Sequence, residues 1–279
     1  LTNNPQLDWY EDSQAFNVLY LGISANGYVA GGGGGTQNGY MPTTMAIWAK
    51  MPTTSNHSNG TYTFTNAGAT GREGPTQAQV NASYSGTNLA GAVTINTQGI
   101  QEWTVPASGT YRIEAWGAKG GNGTDPYAGG IGQNSPGKGA YLAGNFALTS
   151  GELIKILVGQ VGESAIGDGG GGGGGGTFVV KGSGTPLIVA GGGGGGGGRS
   201  NQHGVNASLS TSGTSTANNA GAPGQSGQGG SGGGETWGSG GGGGFLGDGG
   251  NGGNPATGGH SFTNGGTGGD KKSTYPAVG

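Results

Sequence analysis

The stretch GGGGGGGGTFVVKGSGTPLIVAGGGGGGGG, residues 169–198, decides the fold. Two eight-residue glycine runs, 169–176 and 191–198, enclose the short apolar segments 177–180 and 187–189. Two readings of such a stretch compete. Glycine-rich composition normally makes a flexible linker, which needs no apolar anchors. A linker, however, has no use for Phe178, Val179, Leu187, Ile188 and Val189 between its runs, nor for Trp237, Phe245 and Leu246 beside later ones. We therefore read the runs as packed structure. Glycine alone lets backbones touch, so extended threefold helices can lie side by side and hydrogen-bond to one another. Each eight-residue run would then make a rod about 25 Å long, at ~3.1 Å per residue. Residues 169–253 are expected to be ordered on this reading, with Gly173, Gly194 and Gly242 as lattice glycines. Valine at Gly173 or Gly194 should be far more damaging than in an ordinary loop, because a side chain would push neighbouring helices apart, as in collagen.

Working outward, 76 of the 279 residues are glycine, against about 7% in ordinary globular chains. Only 8% are charged and the net charge is −3, so the basic stripe that nucleic-acid binding requires is missing. No apolar stretch approaches the roughly 18–20 residues of a membrane span, and no charged-then-apolar leader stands at the start. No direct membrane insertion is expected. Cysteine is absent, so neither disulfides nor thiolate metal sites can contribute. The first residue is Leu1 rather than Met, as in a processed, exported protein.

Three regions are expected. Residues 1–58 are the least repetitive, with a glycine block at 31–35 and an apolar run whose Phe16, Val18, Leu19, Tyr20, Leu21 and Ile23 read as one strand before the turn-prone Asn26-Gly27 pair. No partner for that strand is evident; it either pairs within its own sandwich or pairs with another chain and drives assembly. Residues 59–166 alternate as short strands, with Tyr62 and Phe64, then Tyr111, Ile113 and Ala115, then Leu153, Ile154, Ile156 and Val158. Turn residues bound each strand, so this part is expected to be an antiparallel sandwich. Residues 167–279 hold the long glycine runs with closing strands.

Six ordered segments between 67 and 198 carry a family resemblance. AGATGREGPTQAQV at 67–80 leads, followed by Asn81 and Tyr84. GIQEWTVP at 99–106, GTYRIEAWGAKGG at 109–121, ILVGQVGE at 156–163, the run into Val180 and PLIVA at 186–190 follow in order. This series resembles the glycine-rich extracellular domain of the anaplastic lymphoma kinase and leukocyte tyrosine kinase receptors. The resemblance implies a mainly β fold, a tumour-necrosis-factor-like antiparallel β-sandwich carrying an inserted bundle of polyglycine II helices. Ala67 and Val80 stand where that family has two cysteines, and the sequence contains no transmembrane helix or kinase domain, so receptor signalling does not carry over. A small apolar pair can fill the space of a bridge while giving up its roughly 2–4 kcal/mol of constraint on the unfolded chain.

No catalytic, cofactor or metal site is expected. His57, His203 and His260 are far apart and lack metal-ligand spacing. Residues 132–138 match the G-x-x-x-x-G-K part of a phosphate loop, but Gly139 stands where Ser or Thr should be. Asn56, Asn59, Asn81, Asn122 and Asn206 each open an Asn-X-Ser/Thr sequon, a glycosylation acceptor where the machinery exists. Trp237, Tyr127 and Tyr40 either stack on sugars or cap the glycine lattice. Two functions remain open: a non-enzymatic extracellular structural protein that self-associates into a surface fibre or matrix, or a receptor- or glycan-binding adhesin such as a phage tail tip carries.

Overall fold

The computed structural model describes residues 44–50, 60–125, 130–165, 170–198, 202–214, 221–233, 239–252 and 256–270. The strand expected at 16–23 lies outside these residues.

The chain is mainly β, with antiparallel sheets and little helix. Strand β1 (Thr44–Lys50) pairs with β2 (Thr61–Thr65), and the single α-helix among the described residues, α1 (Gln77–Ser83), follows. Next come β3 (Val93–Thr97), β4 (Ile100–Thr104), β5 (Gly109–Trp116), the small hairpin β6 (Gly123–Asp125) and β7 (Gly130–Asn134), and β8 (Tyr141–Leu148). The last strands are β9 (Leu153–Leu157), β10 (Thr177–Lys181) and β11 (Pro186–Ala190), and a 3-10 turn stands at Phe262–Asn264. One sheet runs β2-β1-β5-β8 and the other β11-β10-β9-β4-β3.

Period-two alternation explains most of these strands. In β5 the buried residues Tyr111, Ile113 and Ala115 alternate with partly exposed ones, and β2 buries Tyr62 and Phe64 in the same way. Strand β10 instead buries its first four residues, because it lies inside its sheet with both faces covered. Both sheets contribute to the larger of two apolar clusters. Trp103 of β4 is its centre, with Tyr62, Phe64 and Tyr111 placing ring centroids 4.8, 5.9 and 6.1 Å away. Ala67 and Val80 are buried members of that same core, so apolar packing does occupy the two positions.

Helix α1 follows from local chemistry. Thr76 caps it, its hydroxyl accepting from the Gln79 N–H while the Gln79 amide accepts from the Thr76 N–H, a complete capping box. Tyr84 ends the helix and carries it into a buried polar knot. Its hydroxyl donates to Gln101 Oε1 at 2.6 Å and accepts from the Thr65 N–H at 2.9 Å, while Gln101 Nε2 donates to Thr65 O at 2.7 Å. Gln101 has no exposed surface, so every member of the knot depends on the others.

Five strands from both sheets adjoin glycine at one end: β5 runs into Gly117, β9 through Val158 into Gly159 and β11 into Gly191, while Gly139–Ala140 and Gly176 lead into β8 and β10. Buried Thr177 joins them there. Its hydroxyl donates to Trp116 O at 2.6 Å and accepts from the Gly159 N–H at 3.0 Å. Gly159, with Thr177, takes part in this end of the sheets.

Tyr84→Phe should strand the Thr65 N–H and the Gln101 oxygen in a dry site, at a cost of about 1–3 kcal/mol. A lower denaturant midpoint with an unchanged slope is the expected readout; an unaltered midpoint contradicts the knot's role.

Candidate functional site: a glycine-walled cleft and two sheet edges

Segment 171–175 touches three neighbours, each at every third residue. Gly171 and Gly174 donate to Gly196 O and Gly193 O, both at 2.8 Å. Gly172 and Gly175 donate to Glu163 O and Gln160 O, also at 2.8 Å. The carbonyls of Gly172 and Gly175 in turn accept from Gly121 and Ala118 at 2.8 and 2.9 Å. The bonds to each neighbour thus recur at every third residue.

Side-chain space follows the same period. A Cβ on Gly192 or Gly195 would run into the carbonyl oxygens of Gly174 and Gly171, and one on Gly193 or Gly196 into those of Gly137 and Asn134. The third phase is roomier: a Cβ on Gly191 would meet only Ala207 at 3.7 Å, and one on Gly194 the Val205 N at 3.2 Å. In 240–244, Gly240 and Gly243 face 257–260, Gly241 and Gly244 face 227–230, and Gly242 faces nothing within 4 Å. Gly173 has only the Gly193 oxygen at 3.7 Å. The mid-run positions Gly173 and Gly242 therefore lie on the open phase, and the strictest demand for glycine falls on neighbours such as Gly174 and Gly195. A uniform run of one residue conceals this phase from sequence reading.

A second glycine region, built from 221–233, 239–252 and 256–270, is held together by bonds such as Gly241 N–H to Gly250 O and Gly249 N–H to Gly259 O at 2.8 and 2.7 Å. Phe262 fastens it to the sheet, stacked between Phe178 and Phe245 at 5.5 and 5.6 Å. An Arg72–Asp270 ion pair adds a tie, with Gly268 N–H donating to Arg72 O at 2.7 Å. Hydrogen bonds from Arg72, then Thr257, hold the Asp270 carboxyl below the usual carboxylate range.

Between the two glycine regions lies a cleft of about 1010 Å³, lined by 71–74, 157–163, 172–176, 191–194 and 205–214 together with residues of the second region such as Ser226, Gly230, Gly242, Leu246 and Asp270. Val161, Val189, Leu209 and Leu246, four of the five exposed large apolar residues among those described, line it.

The two edges of the four-stranded sheet differ. At β2, Asn88 Nδ2 donates to Thr61 O at 2.7 Å, and Tyr84 and Gln101 bond Thr65, so both ends of that edge are capped. Strand β8, eight uncharged residues, ends the sheet on the other side with no further partner among the described residues. Beside it, the outward face pairs Trp116 with Tyr141 at 4.9 Å, next to an Arg112–Glu114 ion pair at 2.8 Å. Burial, then the Glu114 carboxylate, pushes the Tyr141 hydroxyl's pKa up.

The remaining sequence candidates are scattered. Asn81 is exposed on α1 and accepts from Gln77 at 2.8 Å; Asn122 is exposed; Asn206 Oδ1 accepts from the Lys138 N–H at 2.8 Å. Asn56, Asn59, Trp237, Tyr127, Tyr40 and the six residues of the 16–23 strand fall outside the described residues or their described side chains. His203 accepts from the Ser135 N–H at 3.0 Å. His260 lies 3.2 Å from Asp248, whose carboxyl the Ser261 N–H and then Asn264 hold far below its usual range. The Ser261 hydroxyl meets Thr263 rather than His260. Among the described residues no group of three His, Asp or Glu is placed to hold a metal, and no helix is long and apolar enough to cross a membrane. The phosphate-loop-like stretch falls on β7 and a glycine wall, with no helix after it.

Gly174→Ala and Gly195→Ala should each lower the melting temperature markedly, because backbone carbonyls must move. Gly242→Ala should instead be neutral or stabilise by about 0.4–1 kcal/mol through the unfolded chain. Equal effects at all three positions contradict the threefold arrangement. Acid should loosen the Asp270 tie: its folded pKa is depressed, so its stabilisation is present above the ordinary value of 3.8 and fades as pH falls through the lower folded value. Asp270→Asn should flatten that acid limb in pH-dependent melts.

No protein-family profile matches the chain. Over 110 residues, 38% of this chain, it is 39% identical to the leukocyte tyrosine kinase receptor of Mus musculus. The match spans only 12% of the receptor's length. The chain thus contains a region related to the leukocyte tyrosine kinase receptor.

Proposed function

We propose that this chain is a non-enzymatic extracellular structural protein, the subunit of a surface fibre or matrix that assembles by self-association. Its two sheets form a tumour-necrosis-factor-like sandwich, and its glycine segments form a polyglycine II bundle, a stiff extension of the sandwich. The relation to a receptor supports an extracellular setting, and three-residue periodicity supports the bundle. No cofactor or nucleic acid takes part.

The observation that carries assembly is the asymmetry of the sheet edges. Strand β2 is capped by side chains, whereas β8 is a long, uncharged edge, which is a template for another strand. The apolar segment 16–23 of a neighbouring copy supplies that strand by β-augmentation. Its eight residues match the eight of β8.

A second reading, a receptor- or glycan-binding adhesin, is favoured by the Trp116–Tyr141 pair beside Arg112 and Glu114, since flat aromatic surface with adjacent polar groups suits sugar stacking. Glycan binding that Tyr141→Ala abolishes would favour it.

Full-length protein should polymerise with rising concentration, by sedimentation and electron microscopy. Deleting residues 1–30 should leave a folded monomer. Ala143→Lys, which places a lysine across from Glu114 on β8, should fold normally yet fail to polymerise, because charge blunts an edge strand. Polymers from either variant, or a strictly monomeric full-length chain, contradict assembly through this edge.

A further inference from the structure

The 3-10 turn at Phe262–Asn264 carries a polar cluster that plays no part in assembly through β8. Asn264 ends the turn, and its side-chain nitrogen donates to Asp248 Oδ2 at 2.9 Å while lying 3.0 Å from His260 Nδ1. The same ring nitrogen is 3.2 Å from the Asp248 carboxylate, which favours the tautomer with its proton on Nδ1. The next residue is Gly265, left-handed at φ 98°, with no side chain to shield its backbone nitrogen. That nitrogen makes only a long bond, 3.3 Å, to Phe262 O. Two other described asparagines precede glycine, and both pairs are held more firmly. Asn251 accepts from the Gly258 N–H and Gly252 N–H donates to Ala256 O, each at 3.0 Å; Gly123 lies in β6, where a Cβ would strike the Gly197 oxygen.

We propose that Asn264 is a self-modification site, converted to aspartate and isoaspartate through a succinimide with His260 as the acid. The Gly265 nitrogen attacks the side-chain carbonyl carbon of Asn264 and gives up its proton to water. The bond from that carbon to Nδ2 breaks, and the nitrogen leaves as ammonia with a proton from His260 Nδ1. Water then opens the ring at either carbonyl, leaving an aspartyl or isoaspartyl residue at 264, and His260 regains its proton from solvent. Of the three asparagines, only Asn264 holds its departing nitrogen against an imidazole among the described residues. The product disturbs the turn, because a carboxylate replaces the donor that faced Asp248 Oδ2 and like charges so close repel. Asp248 Oδ1 also holds the Ser261 N–H at 2.7 Å, directly before Phe262, the ring stacked between Phe178 and Phe245. Conversion therefore loosens the clasp that fastens the second glycine region, and does so irreversibly.

Incubating the full-length chain at neutral pH and then mapping its peptides by mass should show position 264 converting about tenfold or more faster than Asn122 and Asn251, since a placed general acid is worth about a hundredfold or more. His260→Gln should slow conversion at 264 and leave the other two rates alone; His260→Phe serves if that variant melts early. Asn264→Asp, made directly, should speed amide exchange at Gly241, Gly249 and Gly259, whose N–H groups bond within the second region, while Gly171 and Gly174 stay slow. Equal rates at the three asparagines, or an unaltered rate at 264 without the imidazole, overturn the proposed site. Unchanged exchange in Asn264→Asp overturns its effect on the clasp.

Discussion

Backbone-to-backbone contact in three directions is the constraint on which the rest of the molecule depends. Segment 171–175 can accept neighbours at 118–121, 160–163 and 193–196 only because nothing projects from its Cα atoms toward them. Ordering glycine costs more chain entropy than ordering any other residue. A lone extended strand would have no compensation, as it makes no internal hydrogen bonds. Several strands bonded to one another do, and the arrangement is therefore cooperative by necessity.

The sheets make that arrangement possible by fixing where each glycine segment begins. Thr177 holds the ends of β5 and β9 to the start of β10 through one buried hydroxyl. Strand spacing in a sheet is set at about 4.8 Å by the ladder, so neighbouring segments leave already side by side. The second glycine region has no such shared origin. It relies on side chains instead, with Phe262 between two aromatic rings and Asp270 on Arg72.

Much of the sheet structure was legible in the sequence. Strands β2, β5 and β10 stand out by their aromatic and β-branched residues, and β9 and β11 by their runs of Leu, Ile and Val. Strand β8 does not, since Ala143, Gly144 and Asn145 dilute its alternation, and it is the strand that leaves an edge open. Helix α1 carries its signal in Thr76 and Gln79, three apart, a short one amid many strand-like segments. The ordering of glycine runs could be argued from their apolar anchors, but their phase could not: a run of identical residues looks the same from every register. The cleft was equally hidden, because it arises between segments far apart in the chain that only the tertiary fold brings face to face.

The proposed assembly would use glycine segments built onto two sheets, with one capped and one open sheet edge. Residue-resolved amide hydrogen exchange on the chain lacking residues 1–30, which retains every described residue while removing the proposed assembly strand, tests the scaffold most directly. The account predicts a three-residue pattern in which Gly171, Gly172, Gly174 and Gly175 exchange slowly and Gly173 exchanges faster than all four. Uniformly rapid exchange through 171–175, at the rate of an unstructured glycine chain, would contradict it.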